Sequence, residues 1–240
     1  MLARLRRIAL PPDLSGLLND GPPTTPRPSA TVLLMRGRRP FELLLIRRPG
    51  GADFAPGAYV FPGGTVHPQD AEWGDEIAAA ATRELFEEVG ILLARNGNRF
   101  ARGPDCRRVR ELIAAGQPFS QAVRECGLQL ALDRLAYLAR WVTPAQLRRR
   151  FDARFFLARL PAGQEVLPQE GEVVDWLWIS PERALRDPKI TLVYATRTVL
   201  ESVSTGEDPA ALMARTRRRQ EVPITEPRIV QTETGWEIVR

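Results

Sequence analysis

RELFEEVG, residues 83–90, is the stretch of this sequence with the most chemical content. It sets three glutamates, Glu84, Glu87 and Glu88, directly behind Arg83. In a helix, this i, i+3, i+4 spacing brings the three carboxylates within one turn. Like charges so close destabilise a helix by about 0.2–0.5 kcal/mol per pair. The pattern therefore indicates either a solvated charged face or a set of oxygen ligands for a divalent metal.

The residues around this stretch predict a helix that begins at Asp75 and ends at Gly90. Asp75 is a good N-cap, and Glu76 in the first turn suits the positive end of the helix dipole. Gly90 can adopt the left-handed conformation that ends many helices. At helical spacing, four apolar residues form the predicted buried side: Ala78, Ala81, Leu85 and Val89.

A glycine-rich segment, GAYVFPGGTV, precedes this helix. Gly63 and Gly64 would let the backbone approach a metal or a phosphate closely. Alone, such a pair is more often an ordinary tight turn. The joint occurrence of a strand, this loop and the glutamate helix is more specific, and residues 65–75 between them are predicted to be loop.

Together these features resemble the Nudix hydrolases. Their motif reads Gly, five residues, Glu, seven residues, then Arg-Glu-hydrophobic-x-Glu-Glu-x-Gly-hydrophobic, and RELFEEVGI (83–91) matches its second half. Asp75 stands where the family has its first Glu, whereas the family's Gly would fall on Gln69. We therefore infer an insertion within 65–75, which leaves open whether Asp75 does more than cap the helix.

The resemblance implies a Nudix-type α/β/α sandwich, of the α/β (α+β) class, with a mixed central sheet and an additional helical insertion. It implies Mg²⁺ or Mn²⁺ as cofactor and metal-dependent hydrolysis of the pyrophosphate bond in a nucleoside diphosphate-linked substrate. Its implied metal ligands are Glu84, Glu87 and Glu88, with help from the Gly64 backbone. Arg83 joins the glutamates in the catalytic group.

The resemblance also implies one further acid from another strand or loop. Nudix enzymes often place a Glu six residues before a Trp that enters a strand, and Glu172 with Trp178 fits this spacing. Glu170 is the near competitor. An exposed carboxylate at a strand end is the alternative interpretation of Glu172.

The substrate prediction rests on the flanking sequence. Residues 43–64 are similar to the segment before the motif in coenzyme A and acyl-CoA diphosphatases, although a second Arg of that segment falls at Asp53. Residues 139–161 are similar to the peroxisomal acyl-CoA diphosphatase branch. This implies cleavage of CoA or acyl-CoA to 3′,5′-ADP and (acyl-)phosphopantetheine. The implied substrate-binding residues are Arg47, Arg48, Gly63 and Gly64.

Two alternatives stay open. The same chemistry could act on ADP-ribose, NADH or dinucleoside polyphosphates. A non-catalytic Nudix fold could bind a ligand or nucleic acid, for which the basic stretch RTRRRQ (215–220) is suited; the intact glutamate set argues against it.

Composition excludes several other classes. A single histidine, His67, argues against Ser-His-Asp chemistry and histidine-rich zinc sites. Cys106 and Cys126 have neither metal-ligand nor redox spacing. The net charge is +5, and almost all of the basic residues are arginines. No apolar run approaches the ~20 residues of a membrane helix, so we expect a cytoplasmic protein without a membrane partner, and a homodimer by analogy with many Nudix enzymes.

Along the chain we predict an irregular, Pro-rich segment at 1–29 and a single Nudix domain at 30–240. Within it, 105–135 is a helical insertion, suggested as a groove for an acyl chain, and 205–240 is a C-terminal extension. The other predicted elements are strands at 30–37, 41–48, 58–61, 149–161 and 172–180, helices from 181, at 191–204 and from 208, and a hairpin turned at 232–235.

Overall fold

The computed structural model describes residues 7–9, 17–52, 55–222, 224–233 and 235–239. Its centre is a mixed sheet of eight strands. The main path across this sheet is β11 (Asp175–Ile179), β3 (Phe41–Arg47), β2 (Arg27–Gly37), β10 (Phe151–Arg159), β9 (Ala136–Val142) and β12 (Ile224–Thr225). Two short strands complete it, β4 (Tyr59–Val60) beside β3 and β5 (Gly63–Thr65) beside β2. The β2–β10 and β9–β12 pairs are parallel and the others antiparallel.

Two three-stranded sheets flank the central one. The first contains β1 (Arg7–Ala9), β14 (Gly235–Val239) and β13 (Arg228–Thr232), and the second contains β7 (Arg99–Phe100), β6 (Ala94–Asn96) and β8 (Gln129–Leu130). The helices are α1 (Glu76–Val89), α2 (Gly103–Ala114), α3 (Phe119–Glu125), α4 (Pro181–Arg186), α5 (Tyr194–Val203) and α6 (Pro209–Arg217). Short 3-10 helices occupy Pro68–Trp73 and Leu132–Arg134.

Both faces of the central sheet are covered. On β2, Val32 and Leu34 share one core with the buried side of α1, whereas Leu33 and Met35 share another with residues of α5 and α6. Alternate residues of a strand face opposite sides, so an unbroken apolar run such as TVLLM fits a sheet covered on both faces. The predicted α/β/α sandwich with a mixed sheet is confirmed.

Helix α1 has the predicted ends. The Asp75 carboxylate accepts a hydrogen bond from the Ala78 N–H at 3.0 Å, and Gly90 ends the helix with a φ of 73°. The Gly90 N–H donates to the Phe86 carbonyl oxygen. The four predicted apolar residues are buried, namely Ala78, Ala81, Leu85 and Val89.

The insertion covers the outer side of α1. Phe86 of α1 packs against Phe119 of α3, with ring centroids 5.8 Å apart, and Ala79 belongs to the same cluster. Only part of 105–135 is helical, because α2 and α3 are followed by β8 and a 3-10 turn. Gly127, with a φ of 66°, stands at the break after α3.

Three sequence predictions need correction. Residues 1–29 are not wholly irregular, since β1 pairs with β14 and β2 begins at Arg27. The predicted loop 65–75 contains a 3-10 helix with Pro68 at its first position. The strand β9 was not among those predicted. The other predicted strands and helices are present with bounds shifted by a few residues, as is the hairpin of β13 and β14.

Cys106 is buried and Cys126 half-buried, and both are free thiols. In the described ranges, none of the helices combines the length and apolarity that crossing a bilayer requires.

Candidate active site

The Arg83 side chain is the centre of the site and is fully buried. A guanidinium has five N–H donors, and all five are used here. Two go to the carboxylate of Asp70, at 2.9 and 3.1 Å, and one to the Thr65 carbonyl oxygen at 2.8 Å. The remaining two come from one nitrogen, which reaches Glu84 at 2.9 Å and Glu87 at 2.7 Å.

Asp70 is a residue of the candidate site that the sequence prediction missed. It lies in the 3-10 helix of the inserted loop and is 2% exposed. Its second oxygen also accepts the His67 backbone N–H at 2.8 Å. The insertion thus supplies the carboxylate that holds Arg83, while Asp75 serves as the cap of α1. No pattern in the sequence marks Asp70. Its burial is the property that distinguishes it, and burial is visible only in the folded structure.

Glu88 has a different hydrogen-bond partner from the other two glutamates. Its carboxylate is 7% exposed and accepts the Gly63 backbone N–H at 2.7 Å. Glu84 and Glu87 instead meet at Arg83, where Glu84 is largely buried and Glu87 more exposed. The three glutamates lie within one turn of α1, as predicted, but their carboxylates are not arranged around a single point.

The glycine pair is required by close packing. A Cβ on Gly63 would lie 2.4 Å from the Ala30 carbonyl oxygen, and one on Gly64 would lie 2.4 Å from the Glu84 carboxyl carbon. Real Cβ atoms do not approach other atoms so closely. Gly63 therefore lets β5 pack against β2, and Gly64 leaves room for the Glu84 side chain of α1.

The acidic side chains here outnumber their basic partners. Burial raises the pKa of Glu84 to about 7, against the opposing effect of Arg83. Burial, together with the charge of Glu84, raises the pKa of Glu88 to about 8, against the opposing effect of the Gly63 hydrogen bond. The positive charges of Arg83, beside Glu84, and of Arg48, beside Glu88, offset this effect only in part. Hard oxygen donors with excess negative charge fit a divalent cation of the Mg²⁺ or Mn²⁺ type.

The described residues include no group of three Asp, Glu, His or Cys side chains already arranged around one metal position. The reason is that Glu84 and Glu87 are held by Arg83, and Glu88 by Gly63. The assignment of all three glutamates, and of the Gly64 backbone, as metal ligands stays a prediction.

The two candidate arginines differ in position. Arg48 lines the cavity at Glu88, and its charge lowers the pKa of that carboxyl. Arg47 is exposed at the end of β3 and donates to the Gly57 carbonyl oxygen at 3.2 Å. Arg47 is not among the residues that line the cavity.

Glu172 lies in the loop that runs past the end of α1. This loop is fixed by the Gln169 N–H, which donates to the Glu88 carbonyl oxygen at 2.8 Å, and the Glu172 N–H donates to Gln169 in turn. The exposed carboxylate of Glu172 raises the pKa of both Glu84 and Glu88 through its charge. The structure therefore brings Glu172 near the cluster without placing it in contact.

A cavity of about 620 Å³ opens beside these residues. Its polar end is formed by Arg48, Gly63, Gly64, Glu84 and Glu88, and its other end is apolar and aromatic. No residue of α2 or α3 lines it. The suggested acyl groove in 105–135 is therefore wrong for this cavity, because those helices cover the opposite side of α1.

Comparison with known families agrees with this geometry. The NUDIX domain family matches residues 25–154, more than half of the chain. The chain therefore belongs to the Nudix family, whose enzymes generally use divalent metal ions. The crystal structure of a NUDIX hydrolase from Alicyclobacillus acidocaldarius is similar with a TM-score of 0.68 and 27% identity, and covers 80% of this chain and 96% of that one.

Two curated relatives extend the comparison. A putative nudix hydrolase 7 of Caenorhabditis elegans is 31% identical, over 65% of this chain and 52% of its own length. Acyl-coenzyme A diphosphatase NUDT19 of Gallus gallus is 28% identical, over 66% of this chain and 62% of its own length. The chain spans between half and two thirds of the length of these relatives. It is a Nudix hydrolase by family, and its substrate is a separate question.

Proposed function

We propose that this protein hydrolyses the pyrophosphate bond of CoA or acyl-CoA with the help of Mg²⁺ or Mn²⁺. The observation that carries the proposal is the pair of carboxylates at the polar end of a large cavity beside Arg48, namely the half-buried Glu84 and the buried Glu88. The similarity to an acyl-CoA diphosphatase supports the choice of substrate, as does the sequence before the Nudix motif.

The chemistry consists of one displacement at phosphorus. Water adds to one phosphorus of the diphosphate and the bridging P–O bond breaks. Each product keeps one phosphate of that diphosphate, and the 3′,5′-ADP retains its 3′-phosphate as well. A divalent metal, when bound, supplies charge neutralisation and a more acidic water. Glu84, Glu87 and Glu88 would hold it, with the Gly64 backbone as a further candidate.

The chain's own residues orient the reactants. Arg83 fixes Glu84 and Glu87, and the Gly63 N–H fixes Glu88, so the carboxylates are positioned before substrate arrives. Arg48 at the polar end suits the negative charge of the diphosphate. Glu84, Glu87 and Glu172 are the candidates to accept the proton of the attacking water.

The first test is a pair of variants, Glu87→Gln and Glu88→Gln. We expect each to lower kcat by at least about 100-fold while the fold is retained, because loss of a metal-site carboxylate removes charge stabilisation. The matched control is Glu76→Gln, an exposed glutamate in the first turn of the same helix. Activity like that of the unmodified protein in both site variants would overturn the metal-site assignment.

The second test is a substrate panel containing CoA, acyl-CoA, ADP-ribose, NADH and a dinucleoside polyphosphate, each with Mg²⁺ and with Mn²⁺. We expect CoA or acyl-CoA to be the best substrate. Cleavage of ADP-ribose without cleavage of any CoA compound would disprove the CoA assignment and retain the pyrophosphohydrolase.

Two further predictions accompany this proposal. The homodimer is checked by light scattering on the purified protein. The cytoplasmic location is checked by fractionation of the source cells.

A further inference from the structure

The floor of the cavity is a row of residues that crosses the central sheet. Thr65 of β5 pairs with Ser29 of β2, Ser29 with Ala153 of β10, and Ala153 with Trp141 of β9. Neighbouring strands are about 4.8 Å apart, so Trp141 lies about 14 Å from Thr65 along this row. The cavity therefore extends well beyond the length of a diphosphate held at the carboxylates.

The far end of this row is apolar. We call it the distal lobe and define it by Trp141, Leu147, Phe155, Tyr194 and Ile238, all of which line the cavity. Trp141 contacts Tyr194 edge-on, with ring centroids 5.8 Å apart. Trp141, Leu147, Phe155 and Ile238 are all less than 9% exposed. Contact with such a surface removes a hydrocarbon chain from water, which is favourable.

Charge distinguishes the two ends of the cavity. Arg48 is the only cationic side chain among the described lining residues, and it stands at the polar end. Adenosine 3′,5′-bisphosphate carries a further phosphate, which needs positive charge or donors when it leaves water. The distal lobe has no cationic side chain among its described residues, so it suits the uncharged arm of the substrate better than the phosphorylated nucleoside.

We propose that the distal lobe binds the acyl end of an acyl-phosphopantetheine arm and so makes the enzyme selective for long-chain acyl-CoA over CoA itself. This inference rests on the proposed CoA-type activity. It assigns chain selectivity to strands β9 and β10, helix α5 and the C-terminal strand β14, in place of the helical insertion.

The test variant is Ala153→Phe. Ala153 is half-buried on the floor of the cavity, where it pairs with Trp141 of the distal lobe. An aromatic residue suits a strand, so a phenylalanine here should fill the lobe with little cost to the fold. We expect kcat/KM for lauroyl-CoA to fall about tenfold or more, mostly through KM, since the variant excludes several methylenes of the chain from the apolar lobe. For CoA and acetyl-CoA we expect a change within about twofold.

Two further variants serve as a second test of the lobe and as a control. Ala195→Leu narrows the same lobe from helix α5, which keeps the test available if the first variant does not fold. Ala211→Phe makes the same chemical change on the exposed side of α6, outside the cavity, and should leave all three substrates unaffected. A binding measurement adds a readout besides turnover: lauroyl-phosphopantetheine should raise the melting temperature of the unmodified protein more than that of Ala153→Phe.

Three outcomes would overturn the inference. An equal loss for CoA and lauroyl-CoA would place the phosphorylated adenosine in the lobe, against the first turn of α5, whose N-cap Val193 offers no side-chain cap. CoA cleavage that is independent of chain length and unaffected by Ala153→Phe would reject the lobe and leave the CoA-type activity standing. Cleavage of ADP-ribose with no CoA compound cleaved would reject the CoA-type activity itself.

Discussion

At the scale of single residues, the site depends on a guanidinium that is removed from water and completely hydrogen-bonded. Burial lowers the pKa of Arg83, but its hydrogen bond to Asp70 and the charges of Glu84 and Glu87 raise it above its usual value. Arg83 therefore stays charged and fixes two carboxylates at once. A lysine at this position, with three donors on one atom, would leave part of this network unsatisfied.

Asp70→Asn tests this network. The change leaves the shape of the side chain but removes the charge opposite Arg83, so we expect a loss of about 3–5 kcal/mol in the free energy of unfolding, measured in urea. We also expect activity to fall about 10–100-fold, since Glu84 and Glu87 lose the support of a fixed arginine.

The control for this variant is Asp75→Asn, five residues along the chain. Asn caps a helix about as well as Asp, so stability and activity should change little. Equal effects at the two positions would show that Asp70 acts only as another capping residue.

The raised pKa values of Glu84 and Glu88 predict how the metal-free protein responds to pH. The folded-state pKa values of about 7 and 8 lie above the 4.5 of an unperturbed Glu, so the folded protein binds these protons more tightly than the unfolded chain does. The contribution of this proton binding to the free energy of unfolding is therefore complete at low pH. It is lost as pH rises through those folded values. In EDTA, Glu88→Gln should therefore become more stable than the unmodified protein by about 1–3 kcal/mol at pH 8.5 but not at pH 5.

Calorimetric or denaturant unfolding at several pH values measures this difference. Addition of Mn²⁺ should stabilise the unmodified protein more than Glu88→Gln. A stability difference that does not vary with pH would contradict a buried, proton-binding Glu88.

Individual residues of the candidate site and of the helix ends were predictable only where a recognisable pattern in the sequence marks them. The i, i+3, i+4 spacing made Glu84, Glu87 and Glu88 candidates, which the resemblance to the Nudix motif favoured as a metal site, and the helix-end rules identified Asp75 and Gly90. Asp70 has no such spacing, because it lies in a loop whose folding brings it under Arg83 from thirteen residues away. Its role follows from its burial in the folded protein and could not be inferred from the neighbouring sequence.

At the scale of elements, the site exists because helix α1 and strand β5 approach unusually closely. Gly64 has no side chain, and the Glu84 carboxylate occupies the space where a Cβ would be. Gly64→Ala should displace this flexible side chain instead of the backbone. We expect about a 10–100-fold loss of activity with a small change in melting temperature.

Gly51→Ala is the matched control for this contact. Gly51 lies in the same glycine-rich part of the chain, and a Cβ there would meet nothing within 4 Å. Activity assays and thermal unfolding of the two variants separate the contact at Glu84 from the general effect of replacing glycine. Unchanged activity in Gly64→Ala would remove Glu84 from the site.

The elements themselves were largely predictable where their ends carry strong signals. Ser180 with Pro181 begins α4 as expected, and Asp208 caps α6. Strand β9 was missed because its pairing with β10 shifts register between Phe155 and Phe156, which breaks the alternation of buried and exposed residues that marks a strand.

At the scale of the whole molecule, distant segments of the chain meet beside the cavity. Arg150 is buried and donates to the Thr24 and Thr143 carbonyl oxygens and to the Glu226 carboxylate, at 2.7, 3.0 and 2.7 Å. It thereby joins the start of the domain, the end of β9 and the segment that leads into the C-terminal hairpin.

Arg150→Gln should loosen this junction. We expect a loss of about 1–3 kcal/mol in the free energy of unfolding, because three acceptors lose their donors. Hydrogen exchange should become faster in residues 224–239. Arg149→Gln, the same change at an exposed neighbour, should have the smaller effect on both measurements. Faster exchange in both variants alike would show that Arg150 is not the link.

The layered fold was predictable because the Nudix motif carries it, and because apolar runs without alternation indicate a sheet covered on both faces. The cavity was not predictable in the same way. Its walls come from Ser29 at one extreme and Ile238 at the other, and no periodicity in the sequence relates such distant residues. For the same reason nothing in the sequence indicated that helices α2 and α3 lie outside this cavity.

Trp141 gives the wall of this cavity an optical property. It is 6% exposed and is the most shielded of the five tryptophans, whereas Trp176 and Trp236 are 37% and 38% exposed. Iodide in the solvent quenches the exposed indoles first, so the remaining emission comes mostly from shielded ones such as Trp141. The unlabelled protein thus carries its own fluorescent reporter at the place where hydrocarbon would bind.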